Sequence, residues 1–207
     1  MRQPLPMVDL PYARELRAER MRLLATLDGL SDEEFGSGRT LCEFWAPRDV
    51  LGHLIGVDRL VQSYAPFGPR VHAANRAQVA RARRLTRKEL MHSARGWAAA
   101  PSLTSRLSAL VVLGDVAVHH QDIVRGLGRE RDIPGPVATA ILRDGLMLSL
   151  LQNQRVLRYR CVLTDHPQPR ALPGLPGAPE VYGTREALGM WLAGRDAVKS
   201  ELMFAER

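Results

Sequence analysis

Residues 109–118 read Ala-Leu-Val-Val-Leu-Gly-Asp-Val-Ala-Val, nine apolar or glycine residues around one carboxylate, Asp115. The run sits in a longer helical candidate, residues 104–127, that stops at Gly128, a suitable C-terminal cap. A helix that is apolar all round belongs in an interior. A carboxylate carried there is costly unless a cation or a metal pairs with it. His119 follows Asp115 by four residues and Asp122 follows His119 by three, so the three share one helical face. Any fold of this chain must bury this helix and satisfy that stripe.

The remaining patterning supplies helices to pack around it. Leu16, Leu23, Leu24 and Leu27 gather near one face of a helix over 13–27. Ser31-Asp32-Glu33-Glu34 and Thr86-Arg87-Lys88-Glu89 are capping boxes opening two further helices, the second running to about residue 99. Pro47 suits a first helical position and Asp49 adds charge near that N-terminus, which predicts a helix over 47–63. Pro134-Gly135-Pro136 opens one more, to about residue 152. Beyond this the character changes. Residues 156–164 favour a strand, residues 167–179 form a proline-rich loop, 179–183 suit a second short strand, and Thr184 caps a last helix over 185–193. The expected fold is all-α: a bundle of four main helices over residues 1–154, followed by a small α+β appendage over 155–207.

The helix at 47–63 has its own anomaly. His53 lies among Val50, Leu51, Leu54, Ile55, Val57 and Leu60. An imidazole on an inward-facing helix can meet Asp115 and His119 across a bundle, where metal sites arise from inward side chains on facing helices. Two histidines and a carboxylate make a three-ligand divalent site with a position left open. Asp122 then suits a hydrogen-bond acceptor that orients His119. Spacing alone leaves other readings open: Asp115 paired with an arginine, His119 at the bundle rim, His53 as a satisfied core histidine, Asp122 as a surface partner of Arg125. Cys42 and Cys161 are poor candidate nucleophiles, since Cys42 has no base beside it in sequence and Cys161 lies in an expected strand.

Composition bounds the function. Two cysteines in 207 residues exclude a disulfide scaffold. There is no apolar stretch long enough to span a membrane and no apolar core of a signal peptide, so a cytoplasmic protein is expected. Twenty-nine basic against 22 acidic residues leave a net charge of +7. Arg70, Arg76, Arg81, Arg83, Arg84, Arg87 and Lys88 concentrate that charge. A nucleic-acid role for residues 70–88 is disfavoured because no aromatic residue is interleaved for stacking and no recognition-helix pair accompanies it. Steering of a small acidic substrate fits this charge better.

Three segments together resemble a known family. Trp45-Ala-Pro-Arg-Asp49-Val50-Leu-Gly-His53-Leu54 resembles the W-x-x-x-D-V-x-x-H-L element of the DinB-like superfamily. Asp115-Val-Ala-Val-His119-His-Gln-Asp122-Ile, with Arg125-Gly-Leu-Gly128 after it, resembles the acid-x-x-x-H-x-x-D element of its mycothiol-dependent maleylpyruvate isomerase branch. Val181-Tyr-Gly183 through Trp191-Leu-Ala-Gly194-Arg195 resembles the closing strand and helix. The resemblance implies a DinB-like four-helix bundle holding a divalent metal, usually zinc, on His53, Asp115 and His119. Asp115 stands where that family usually has glutamate, one methylene longer, and Ala46 where it usually has Ser or Thr.

The implied cofactors are that metal and mycothiol or a similar low-molecular-weight thiol, and the implied partner is a small electrophile. The expected chemistry is thiol transfer or thiol-assisted isomerisation by a monomer or homodimer. The alternative is a non-catalytic metal- or thiol-binding bundle.

Overall fold

A computed structural model of the chain describes residues 10–166, 170–172 and 174–205. It is mostly helical with one small four-stranded sheet. The helices are α1 (Ala13–Asp28), α2 (Asp32–Ser37), α3 (Pro47–Asp58), α4 (Leu60–Tyr64), α5 (Val71–Arg84), α6 (Arg87–Ala99), α7 (Leu103–Leu107), α8 (Ala109–Gly126), α9 (Gly135–Gln152), α10 (Arg155–Arg158) and α11 (Arg185–Leu192). The strands are β1 (Arg160–Leu163), β2 (Arg170–Ala171), β3 (Glu180–Gly183) and β4 (Met203–Phe204). The chain forms two compact units, residues 1–129 and 130–207.

In the first unit, α1 packs on α8 and α6, and α3 packs on α5, α6 and α8. The leucine stripe of α1 is buried as its periodicity requires. Both capping boxes form, at Ser31–Glu34 and Thr86–Glu89. The helix expected over 104–127 is interrupted at Ser108 and divides into α7 and α8. The helix expected to reach residue 63 ends at Asp58. The carboxylate of Asp58 accepts from the buried Arg20 guanidinium at 2.8 Å and from Ser105 Oγ at 2.6 Å, while Ser102 Oγ donates to its carbonyl at 3.0 Å. One residue thereby ties α1, α3 and α7 together. Arg20 also donates to the Trp97 carbonyl and lies over the Trp97 ring, so this interior cation has both a counter-ion and an aromatic face.

A second buried polar link sets the rotation of α8. His120 Nδ1 lies 2.8 Å from Glu19 Oε1, and its Nε2 lies 2.8 Å from Thr26 Oγ1. Both partners are on α1. Successive residues on a helix are about 100° apart, so aiming His120 at α1 turns His119 away from α1, toward α3.

In the second unit α9 lies against α11 at a glycine-to-glycine crossing. A Cβ on Gly145 would fall 2.1 Å from the Gly189 carbonyl oxygen, and one on Gly189 would fall 2.6 Å from that of Ile141. The sheet runs β2-β1-β3-β4, with β1 parallel to β3 and both edge strands antiparallel to their neighbours. Tyr159, Trp191 and Phe204 pack edge to face around the end of α11.

The compact units divide after Arg129, with α9 packed on α11 inside the second. The strand expected over 156–164 is also shorter: residues 155–158 form the helical turn α10, which places Val156 in a helix. The expected proline loop is interrupted by β2, and its residues 167–169 and 173 lie outside the described ones. Backbone atoms cannot yield to a new methyl group at the α9–α11 crossing. Gly189→Ala is expected to lower stability by about 1–3 kcal/mol, read as a lower urea-unfolding midpoint with an unchanged slope.

Candidate metal centre

The site is built from α3, α8 and the loop before α3. At the start of α3, Ala46 has no side chain to cap the helix. Asp49 compensates, its carboxylate accepting from the Ala46 N–H at 3.1 Å. The same buried carboxylate takes a two-point contact from Arg83 of α5, at 2.7 and 3.0 Å, an arrangement that holds both partners in register. Arg48 donates to the carbonyls of Ala82, Arg83 and Leu85 at the end of α5. Gly52 completes the seating, because a Cβ there would fall 2.3 Å from that of Ala82. Parts of the basic stretch therefore serve to hold α3 where His53 needs to be.

His53, Asp115 and His119 come together. His53 Nε2 lies 4.0 Å from Asp115 Oδ1, and His119 Nε2 lies 3.7 Å from the same oxygen. One donor atom from each falls within 4.8 Å of the other two. The two imidazoles meet edge to face with centroids 5.0 Å apart, and Trp45 covers both at 5.1 and 6.2 Å. His53 and His119 are buried, and the Asp115 side chain is 29% exposed. Trp45 is thus a packing wall for the imidazole pair as well as the entry to α3.

Asp122 is fully buried, and its Oδ2 lies 3.0 Å from His119 Nδ1. That contact orients the ring so that His119 Nε2 faces Asp115. Cys42 also joins the cluster, a residue that no local pattern singles out for it. Its Sγ donates to Asp122 Oδ2 at 3.0 Å and lies 3.4 Å from His119 Nδ1. It reaches them from 80 and 77 positions away in the chain, through a loop pinned by the Leu41 N–H to the Asp122 carbonyl at 2.9 Å. No periodic pattern carries a loop residue, so only the fold reveals it. Cys161 is buried in β1 and has its thiol pushed up to about 12 by desolvation, which leaves it inert.

The electrostatics of the cluster favour a positive charge. Burial alone pushes the His119 imidazolium toward neutrality. The Cys42 sulfur, Asp122 and Asp115 outweigh it and hold the His119 pKa well above its usual value. The negative potential reaches Tyr64, whose hydroxyl is pushed up to about 12, first by burial and then by Asp115. Two donors on one zinc ion, each at about 2.0–2.2 Å, sit no more than about 4.4 Å apart. The 3.7 and 4.0 Å separations lie inside that bound, and the buried His53 Nδ1 has no hydrogen-bond partner among the described residues to turn the ring. The three residues present therefore suit a divalent ion.

A cleft of about 690 Å³ opens beside the cluster, lined by Arg39, Cys42, Phe44, Trp45, Arg48 and Arg83, among others. Phe44 stands at its edge, 85% exposed and with φ of 65°, a left-handed conformation that bulky residues rarely adopt.

The described residues include no helix long and apolar enough to cross a membrane. No curated protein matches the chain in sequence. Among solved structures, the chain is similar to a crystal structure of the mycothiol-dependent maleylpyruvate isomerase at 17% identity and a TM-score of 0.66. It is similar to a crystal structure of a histidine-to-alanine mutant of that isomerase at 16% identity and a TM-score of 0.64. Both alignments cover 95% of this chain and 94% of the other, and at these identities the likeness is one of fold. Residues 16–110, which include Cys42, Trp45 and His53 and end before Asp115, match the mycothiol maleylpyruvate isomerase N-terminal domain. That match covers slightly less than half of the chain, and the likeness to the isomerase's fold extends over nearly all of it.

Proposed function

We propose that the chain is a divalent-metal-dependent enzyme that activates a low-molecular-weight thiol, mycothiol or a close analogue, toward a small electrophile. The supporting observation is the convergence of His53, Asp115 and His119 donor atoms within 4.8 Å of one another in an acid-rich, largely buried pocket. These three residues would hold the ion, zinc by the chemistry of two imidazoles and a carboxylate. When bound, such an ion favours the thiolate of a thiol brought to its open position, and the thiolate is the nucleophilic form.

The chain's own residues do the rest. Asp122 fixes the tautomer of His119 by accepting from Nδ1, and Trp45 limits water at the imidazole pair. Asp49 and Arg83 hold α3, and so His53, at the right height. The arginine-lined cleft favours an anionic electrophile over a neutral one. Addition of the thiolate followed by bond rotation and elimination gives isomerisation, and addition alone gives S-transfer. We read the four-helix arrangement of the DinB-like family into α1, α3, α6 and α8, and a cytoplasmic setting fits a thiol cofactor of this kind. A bundle that binds metal or thiol without turnover is the competing reading.

The deciding experiment follows thiol in the presence of electrophiles. The zinc-loaded protein is expected to consume thiol, or to isomerise a conjugated acid with thiol present, whereas no thiol loss and no isomerisation despite bound zinc would favour the binding reading. His53→Ala is expected to abolish that turnover and weaken zinc binding by more than tenfold while circular dichroism shows the helical content unchanged. Zinc affinity equal to that of the original protein would remove His53 from the ligand set. Asp122→Asn keeps the shape but loses the acceptor charge, and is expected to weaken zinc binding by about 10- to 100-fold, measured by chelator competition.

A further inference from the structure

His119 faces acid groups on both sides of its ring. Its Nε2 side meets Asp115 and His53, and its Nδ1 side meets Asp122 Oδ2 at 3.0 Å and Cys42 Sγ at 3.4 Å, the sulfur and the carboxylate being 3.0 Å apart. The second set is as closely gathered as the first and differs in containing a thiol. We propose that Cys42, His119 Nδ1 and Asp122 form a second, alternative seat for a thiophilic cation of the zinc group, sharing His119 with the first. This seat goes beyond the function proposed above and depends on it only through that shared ring.

The fold builds the sulfur's position. The loop is hydrogen-bonded to α8 through Leu41 and Asp122. Thr40 Oγ1 lies within 3.1 Å of the Cys42 carbonyl and 2.8 Å of the Trp45 carbonyl, which shapes the turn between them. Gly126 permits the approach, since a Cβ there would fall 2.3 Å from Thr40 Cα. Asp122 is fully buried and His119 nearly so, which leaves Cys42, half-buried and lining the cleft, as the side from which an ion enters.

Donor chemistry sets the choice of ion. Zinc binds thiolate at about 2.3 Å and imidazole nitrogen at about 2.0–2.1 Å, which spaces tetrahedral donors by about 3.4–3.6 Å. The observed 3.0–3.4 Å edges need only a small outward movement to reach that spacing. A thiolate donor selects soft ions over hard ones, so cadmium is favoured here, and manganese or magnesium is not. On binding, the Cys42 S–H proton leaves to solvent and the single His119 proton moves from Nδ1 to Nε2, which frees the Nδ1 lone pair for the ion. A neutral imidazole offers one lone pair, so an ion at Nδ1 takes His119 away from Asp115 and His53. The two seats are alternatives, and a soft ion in the second disarms the first.

The test uses the full chain stripped of metal and titrated with cobalt(II) or cadmium(II), followed by the near-ultraviolet thiolate-to-metal charge-transfer absorption. The expected result is a band that saturates at one ion per chain. It persists in His53→Ala and in Cys161→Ser, and disappears in Cys42→Ser together with a loss of at least tenfold in cadmium affinity. Absence of the band in the original protein, or its survival in Cys42→Ser of unchanged circular dichroism, overturns the second seat. Neither outcome touches the thiol-consumption readout of the first seat, so the two proposals fail separately.

Discussion

Everything in the first unit is arranged around carboxylates that α8 carries inward. Asp122 is fully buried and Asp115 partly so, on a helix whose other positions are overwhelmingly apolar. Charge in such surroundings must be balanced by a nearby cation or protected by hydrogen bonds. The fold supplies His119 between the two acids and His53 from the facing helix, and leaves room for an ion among them. The elevated pKa of His119 expresses the same demand in protonic form. A proton and the proposed metal would compete for one electrostatic minimum, with the geometry of the donors deciding between them.

Precision at that minimum comes from polar links placed outside it. His120 clamps α8 to α1 through Glu19 and Thr26, Asp49 clamps α3 to α5 through Arg83, and Asp58 clamps α1, α3 and α7 through Arg20 and the two serines. Each link fixes one degree of freedom that apolar packing leaves soft: the rotation of α8, the height of α3, the splay of α7. Buried polar networks of this kind favour one arrangement over its neighbours. The shorter Asp115, where glutamate is usual in the resembling family, makes that precision more demanding, because the side chain has less reach with which to correct a misplaced helix.

Much of this was legible in the residues. Helical periodicity alone put Asp115, His119 and Asp122 on one stripe, and the Pro47–Asp49 start placed His53 inward on a neighbouring helix. Periodicity failed where the chain is irregular. Cys42 sits in a loop and meets α8 through tertiary folding, so no local pattern announces it. The break at Ser108 sets off α7, which the Asp58 network holds through partners far apart in sequence. The helix α9 reads from sequence like one more member of the bundle, and its glycine crossing with α11 is visible only when both helices are in place. Val156 favours a strand by intrinsic preference, but the chain there turns through α10 instead.

The three donors of the first seat come from two helices, and neither helix positions them alone. An ion held there binds the folded chain and has no equivalent site in the unfolded one, so ligation and folding share one free energy. Each tenfold rise in free ion above its dissociation constant then adds about 1.4 kcal/mol to the folding equilibrium. With the proposed ion as its ligand, the melting temperature of this protein would become a gauge of its surroundings: a metal-starved solution would leave the first unit less resistant to heat, even with every covalent bond of the chain unchanged.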